Sequence, residues 1–520
     1  MNSISNPRPG KNKFDLSHEV KQTGNMGMLY PCYVQDVIPG DSFRVNTQQL
    51  IRFSPLLAPM MHNVDFKLDF FYVPYRLIWS EWKDFITGGE DGNDLPSYPR
   101  FQVTNSEQSY FQKGGLMDYL GVPPFESSMS GSQDGGAWSQ ASSSSPQYIS
   151  ALPPRAYQLI YHEYFRDQNV GTEYEQHQTS GVQSYTTAAN DTLNLRRSNW
   201  EKDYFTSALP FLQRGGEVEL PMGETVVQTV ENLGYGTAYG NLQPGSPSGG
   251  TQTIQTSGGH TVQFRGAATP ATINELRKAS ALQKWLEIMA RAGSRYREQI
   301  LAIFGERIPD YTVQVPQYLG GGKTAIMISE VLSTYSQNTQ SAPLSTDRPI
   351  GDMAGHALGL GDNIGFQQSF DEHGIILGLC RVIPKASYVQ GLSRFWQKFD
   401  KFDHYFPQFA NLGEQEVYQK ELYVLGNDAD DNIFGYQQRY AEYKYAQNRI
   451  AGDFRDTLAH WELSRRFNNH QFLNQSFVEC NPDDRIFAIT DSSEDKLWIS
   501  LYHKVDALRP MPYHSNPSLS

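Results

Sequence analysis

Hydrophobic and polar positions alternate along several short stretches of the chain, and these predict β-strands. Ser42-Phe43-Arg44-Val45-Asn46 alternates after the turn signal Gly40-Asp41. Phe66 to Val73 is the strongest strand candidate: it begins with alternation, is rich in aromatic and β-branched residues, and is stopped by Pro74. Strand signals return at Tyr311-Thr312-Val313-Gln314-Val315, at Ile375 to Leu379 and at Lys496 to Ser500. Helical spacing is rarer. Leu152 to Asp167 opens with Pro153 and Pro154, which suit a first helical turn, and places Tyr157, Ile160, Tyr161 and Tyr164 on one face. The clearest helix covers 272–304. Thr272 and Glu275 form a capping box, and Leu276, Ala279, Leu282, Leu286, Met289 and Ala290 recur at helical spacing, with Gly293 as a break point.

Long stretches without period separate these elements. Residues 1–13 read as a flexible arm, because Pro7, Pro9 and Gly10 interrupt regular structure beside the basic Arg8, Lys11 and Lys13. Residues 121–150 and 215–268 read as surface loops rich in Gly, Ser and Thr. The second holds only weak strand pieces, such as Glu217-Val218-Glu219-Leu220, and is expected to lack regular structure over most of its length. From Asp506 to Ser520 the chain carries Pro510, Pro512 and Pro517 and reads as an extended tail. Scattered strands, long loops and a few helices predict a mainly β fold. The expectation is one domain over 1–520: an eight-stranded jelly roll, an antiparallel β-sandwich with helices in long insertions.

Composition sharpens this picture. The 520 residues carry a formal net charge of −13, which argues against a stand-alone nucleic-acid binder, since phosphate neutralisation needs Lys and Arg. Aromatic residues reach 13%, against 39% for all hydrophobic types, which suits burial against neighbouring molecules. Cys32, Cys380 and Cys480 are far apart and odd in number, so a reducing compartment is expected. No apolar run is long enough to span a bilayer, and the first residues have no apolar secretory core, so a soluble, cytoplasmically made protein is expected.

Candidate chemistry is weak. Gly320-Gly321-Gly322-Lys323-Thr324 ends like a phosphate-binding loop, but Gln317 stands where the first glycine belongs, so a glycine turn after a strand is expected. A nucleotide-dependent enzyme using Lys323 and Thr324 is the least favoured reading. Asp428, Asp430 and Asn432 have calcium-loop spacing, but Ile433 and Arg439 replace the required Gly and Glu, leaving a solvated acidic turn. His162-Glu163 lacks the second His of a zinc helix, and Asp371-Glu372-His373-Gly374 reads as a polar turn. No catalytic residue, cofactor or metal site is expected.

Several blocks, taken together and in order, resemble the major capsid proteins of the microviruses, especially their gokushovirus-like branch. They are Pro55 to His62 running into Phe70 to Trp79, then Gly114 to Gly121, then Arg155-Ala156-Tyr157 through Phe165 to Asn169. Asp203 to Pro210, Ile273 to Arg277 and Gly435 to Tyr443 follow. The resemblance implies a jelly-roll subunit, assembled in a bacterial cytoplasm into a T=1 icosahedral virion around circular single-stranded DNA. It also implies a small basic DNA-binding viral protein as partner and an insertion between Pro210 and Thr272 on the outer surface. On that reading the outer loops meet a host receptor, with Gly216, Gly240, Gly250 and His260 marking the insertion. Arg8, Lys11, Lys13, Arg439 and Arg449 are candidate DNA contacts without sequence readout. A receptor- or glycan-binding β-protein is the alternative.

Overall fold

The computed structural model describes residues 10–104, 109–124, 146–171, 178–183, 192–216, 225–231, 263–268, 273–332, 353–489 and 493–514, with 218, 334 and 491 singly. Five strands come first: β1 (Asn12–Asp15), β2 (His18–Gly24), β3 (Tyr30–Val37), β4 (Ser42–Phe53) and β5 (Val64–Pro74). Three short strands, β6 (Arg100–Val103), β7 (Gln147–Ser150) and β8 (Val182–Gln183), make a small sheet of their own. β9 (Thr225–Glu231) and β10 (Gln263–Ala268) pair antiparallel within the 215–268 stretch. Then come β11 (Gln317–Ala325), β12 (Met327–Leu332), β13 (Met353–Ser369) and β14 (Gly374–Pro384). β15 (Glu414–Tyr418) pairs with β16 (Ile433–Gln438), and β17 (Leu497–Arg509) is the last strand.

Two antiparallel sheets dominate. One runs β1-β17-β4-β13-β12, with β2 also paired to β17; the other runs β11-β5-β14-β3. They enclose one core, in which Val45, Ile51, Leu497 and Leu501 of the first sheet meet Phe66, Leu68, Phe70 and Val382 of the second. Phe70 and Phe366 touch across it with ring centroids 5.2 Å apart. The fold is therefore mainly β and sandwich-like, as the alternation predicts.

The two sheets differ in pattern for a physical reason. β4 alternates buried and accessible residues along all 12 positions, because one of its faces meets the core and the other does not. β14 is buried at nearly every position, from Gly374 through Pro384. Its second face, with that of β5, is covered by the helix Leu152–Ile160 and by Trp79, so Phe71, Val73, Ile375 and Leu377 form a second core with Ala156, Tyr157 and Ile160. A strand buried on both faces reads as an unbroken apolar run.

Other elements fall as expected or depart from it. Tyr157, Ile160 and Tyr161 do share one buried cluster, with Tyr164 packed against it; the α-helix ends at Ile160 and a π-turn continues over Tyr161–Phe165. The long helix divides at Gly293, whose φ of 102° favours glycine, into Ile273–Ala292 and Tyr296–Phe304. Thr272, the expected cap, lies outside the described residues. The strand expected at 311–315 is instead a helical turn, Asp310–Val313, ended by Gln314 at a φ of 61°. The strand begins only at Gln317, after Pro316. The arm is shorter than expected: Asn12 and Lys13 already belong to β1, paired with Arg509 and Leu508 of β17. Phe14 stacks on Tyr513, centroids 5.9 Å apart, which ties this end of the chain to the tail. By the same pairing, the tail from Asp506 to Arg509 is strand. Most of 121–150 and of 215–268 lies outside the described residues, as do 1–9 and 515–520.

The chain packs as two compact units, 1–212 with 293–520, and 213–292. The first holds both large sheets. The second holds the β9–β10 hairpin and the helix Ile273–Ala292, on which Leu276 and Leu282 remain exposed.

Candidate assembly and genome-contact surfaces

The motifs that suggested chemistry are structural in the fold. Gly320, Gly321 and Gly322 lie inside β11, paired with Phe70, Asp69 and Leu68 of β5, so the expected turn is a strand. The glycines are needed for close approach: a Cβ on Gly320 would sit 2.9 Å from the carbonyl oxygen of Gly365, and one on Gly322 would sit 3.0 Å from Ile364. Lys323 projects to Asp65, Nζ to Oδ2 3.7 Å, from within a strand and not from a loop between strand and helix.

The acidic run at 428–432 is a turn, but Asp430 is not solvated. It is buried and accepts hydrogen bonds from the Leu425 and Gly426 amides and from His470 Nε2, at 2.9, 2.7 and 2.8 Å. Glu163 faces His162 and Arg295 at 3.6 and 3.4 Å. Glu372 takes the guanidinium of Arg76 at 2.7 Å. Among the described residues, no group of three or more His, Cys, Asp and Glu could hold a metal ion. The three cysteines are free and buried, and no helix among the described residues is long and apolar enough to cross a membrane.

Buried polar clusters instead fasten the loops that follow β14. Glu462 accepts from the guanidinium groups of Arg466 and Arg485, at 2.9 and 3.0 Å, and from the Ser464 hydroxyl. Burial alone would raise its pKa, but these donors outweigh burial and hold the carboxyl below its ordinary range. Glu421 is buried too, and takes Tyr204 Oη at 2.9 Å and Arg394 at 3.2 Å; here burial dominates and the pKa is raised. Glu201 gathers Lys67 and Lys385; its burial is outweighed by the two ammonium groups, which pull its pKa down to about 2.

Inside the sandwich sits one histidine. The Cys32 carbonyl can only accept, so His503 Nε2 carries the proton and donates to it at 3.0 Å, while Nδ1 accepts from Thr47 Oγ1 at 2.9 Å. Burial, helped by the nearby His18, pushes its pKa down to about 4.

The candidate contact residues lie on separate elements. Lys11 is exposed ahead of β1, and Lys13, on β1, pairs with Asp506 at 2.8 Å. Arg439 is half-buried over the ring of Tyr440 at 5.2 Å. Arg449 is exposed at the rim of a cavity of about 460 Å³, with His62, Lys385 and Asn448. Tyr440 is buried, whereas Tyr443 and Tyr445 are exposed. Gly216 is exposed; Arg8, Gly240, Gly250 and His260 lie outside the described residues.

One surface was missed. On the outer face of the first sheet, the register sets Trp498 beside Arg52 and Thr23, and Leu50 between Leu360 and Ser500. Tyr502 stands two places further along the same face, beside Gln48 and Glu19. The signal was available: from Leu497 to Lys504 the even-numbered residues point away from the core.

The fold and these clusters describe a β-sandwich structural protein whose charged residues hold loops in place. The chain belongs to the capsid protein (F protein) family, whose model matches residues 4–519. It is 32% identical to capsid protein VP1 of Chlamydia phage 1 over 597 aligned residues, covering 98% of this chain and 96% of that one. To VP1 of Bdellovibrio phage phiMH2K it is 32% identical over 539 residues, covering 98% and 95%. VP1 of Spiroplasma virus 4 is 26% identical over 550 residues, with 98% and 95% covered. The chain is thus a microvirus-type major capsid protein, a virion component that assembles into a multimeric capsid, and not an enzyme.

Proposed function

We propose that this chain forms a T=1 icosahedral shell around a circular single-stranded DNA genome. The carrying observation is strand order. The short β1 and β12 continue β2 and β11, and the remaining eight long strands, counted along the chain, fall into sheets of order 1-8-3-6 and 2-7-4-5. That is the order made when a long antiparallel hairpin rolls up, and it supports an eight-stranded jelly roll built for repeated, symmetric side-by-side contact. The single domain over 1–520 is then this jelly roll plus insertions.

A subunit charge of −13 leaves little cation for the genome. The reading therefore includes a small basic viral protein and bound cations as the main counter-charge. Arg8, Lys11, Lys13, Arg439 and Arg449 supply sparse phosphate contacts, and the insertion marked by Gly216, Gly240, Gly250 and His260 faces a host receptor. Assembly takes place in the bacterial cytoplasm.

Electron microscopy of particles from cells carrying the viral genome and the basic protein together with this chain tests this. Closed shells of T=1 size carrying nuclease-protected single-stranded DNA are expected. A discrete small oligomer would overturn the reading. Deleting residues 240–260 should preserve shells and reduce host adsorption; loss of all shells would remove the insertion from the receptor role.

A further inference from the structure

Between β14 and β15 the chain makes an unusual strap, from Gly391 to Leu412, with the sequence GLSRFWQKFDKFDHYFPQFANL. It is folded into three 3₁₀ turns, Arg394–Gln397, Lys401–Asp403 and Pro407–Phe409. Its frame is fixed from beneath. Arg394 reaches buried Glu421 at 3.2 Å, and Lys398 lies 3.6 Å over the Tyr443 ring and 3.4 Å from Glu442. Asp403 accepts from the Phe399 and Asp400 amides at 3.0 and 2.9 Å.

This pinned backbone turns its rings outward. Phe395 is 68% exposed, Trp396 67% and Phe399 91%, and Phe402, Tyr405 and Phe406 are each more than 40% exposed. At roughly 200 Å² per ring, they present on the order of 700 Å² of apolar surface. The largest patch on a typical monomer is about 300–600 Å², whereas a stable interface takes about 800 Å² from each partner.

Single-stranded DNA is a poor match for this surface. Bases stack on open ring faces and need cations for their phosphates. Here the rings meet edge to face: Phe395 and Trp396 at 84°, Phe402 and Phe409 at 79°. The cations are engaged as well, Arg394 and Lys398 with glutamates and Lys401 over Phe402 at 4.9 Å. Charge favours another copy of the chain. Arg394 and Lys398 are matched by Glu421 and Glu442, and Lys401 sits beside Asp400 and Asp403, so the strap's face is close to neutral on a chain of net charge −13. A near-neutral, apolar strap is where one such acidic subunit can approach the next with least repulsion.

We propose that the strap 391–412 is a subunit–subunit contact, with the rings of Phe395, Trp396 and Phe399 seated against a second copy of this chain in the shell. This rests on the reading of the chain as a self-assembling capsid subunit.

The test is to place the photo-cross-linker p-benzoylphenylalanine at Phe399 and irradiate purified particles. Covalent chain–chain dimers on a denaturing gel, with the captured peptide from the same protein, are expected. Adducts to DNA, or cross-links only within one chain, would overturn the proposal. In parallel, Trp396→Asp with Phe399→Asp should lower shell yield by about tenfold or more while the isolated subunit keeps its wild-type melting temperature. Shells at wild-type yield would overturn it. If the unmodified chain makes no shells at all, it is the self-assembly reading that fails.

Discussion

The sandwich and the loop layer between Lys385 and Phe487 are held together by different physics. In the sandwich, Phe66, Leu68, Phe70, Ile499 and Leu501 are buried against one another, and the imidazole of His503 among them is kept neutral. The loop layer has short strands and many 3₁₀ turns, and its small core around Phe205, Leu422 and Phe477 is supplemented by buried carboxylates. Glu462 and Glu421 gather the guanidinium groups of Arg485 and Arg394, 23 and 27 residues away along the chain, which lets irregular backbone keep one conformation. Regular strands satisfy their own amides and can bury apolar residues freely; irregular loops need side chains to do that work. The loop layer is also where the outward rings of the strap lie, so the rigid polar base and the exposed apolar surface go together.

Truncations should separate the two regions. Phe66→Ala in the sandwich should destabilise the isolated subunit by about 4 kcal/mol, through lost burial and the cavity left behind. Glu462→Ala should cost about 3 kcal/mol, because Arg466 keeps its charge and loses its carboxylate, and Arg485 is left with Asp483 alone. Denaturant unfolding of both variants measures this. A Glu462→Ala cost under about 1 kcal/mol would mean that the loop layer does not depend on its charged cluster.

Acidification should find the sandwich first. His503 has a folded pKa of about 4, lowered from 6.5, so the unfolded chain takes up the proton earlier. Its contribution is fully present above pH 6.5 and is lost as pH falls from 6.5 to 4, by roughly 3 kcal/mol. Glu201, lowered from 4.5 to about 2, contributes above pH 4.5 and is lost between 4.5 and 2. Thermal melts against pH should therefore fall in two stages, and His503→Gln should shrink only the upper one, to which His62, also held below its ordinary pKa by burial, adds the remainder. A single stage below pH 4.5 in the wild type would show that His503 does not set the upper limit.

The smallest effect is expected at Lys323. Its exposed ammonium pairs loosely with Asp65, so Lys323→Ala should shift stability by no more than about 0.5 kcal/mol and leave the DNA content of particles unchanged. Shells lacking DNA would break the assignment of β11 as purely structural.

Much of this architecture was legible in the chain before folding. Alternation at 42–46 located β4, alternation passing into aromatic and β-branched residues located β5, the run Ile375–Leu379 located β14, and Gly293 marked the break between two helices. Local pattern suffices there because side-chain period and backbone period are coupled within a few residues. The tertiary structure alone decided the rest. It made Tyr311–Val313 helical, since a β-rich composition does not override a turn set by Pro309 and Gln314. It drew Gly320–Gly322 into a strand because β5 and β13 approach too closely for side chains there. It took Asn12 and Lys13 out of the arm by offering them the free edge of β17. It also brought Glu462 to Arg485 and Glu421 to Arg394, contacts between residues whose separation along the chain leaves no periodic trace. The aromatic richness of 391–412 was present in the sequence; that its rings face outward follows only from the polar contacts holding the backbone beneath them.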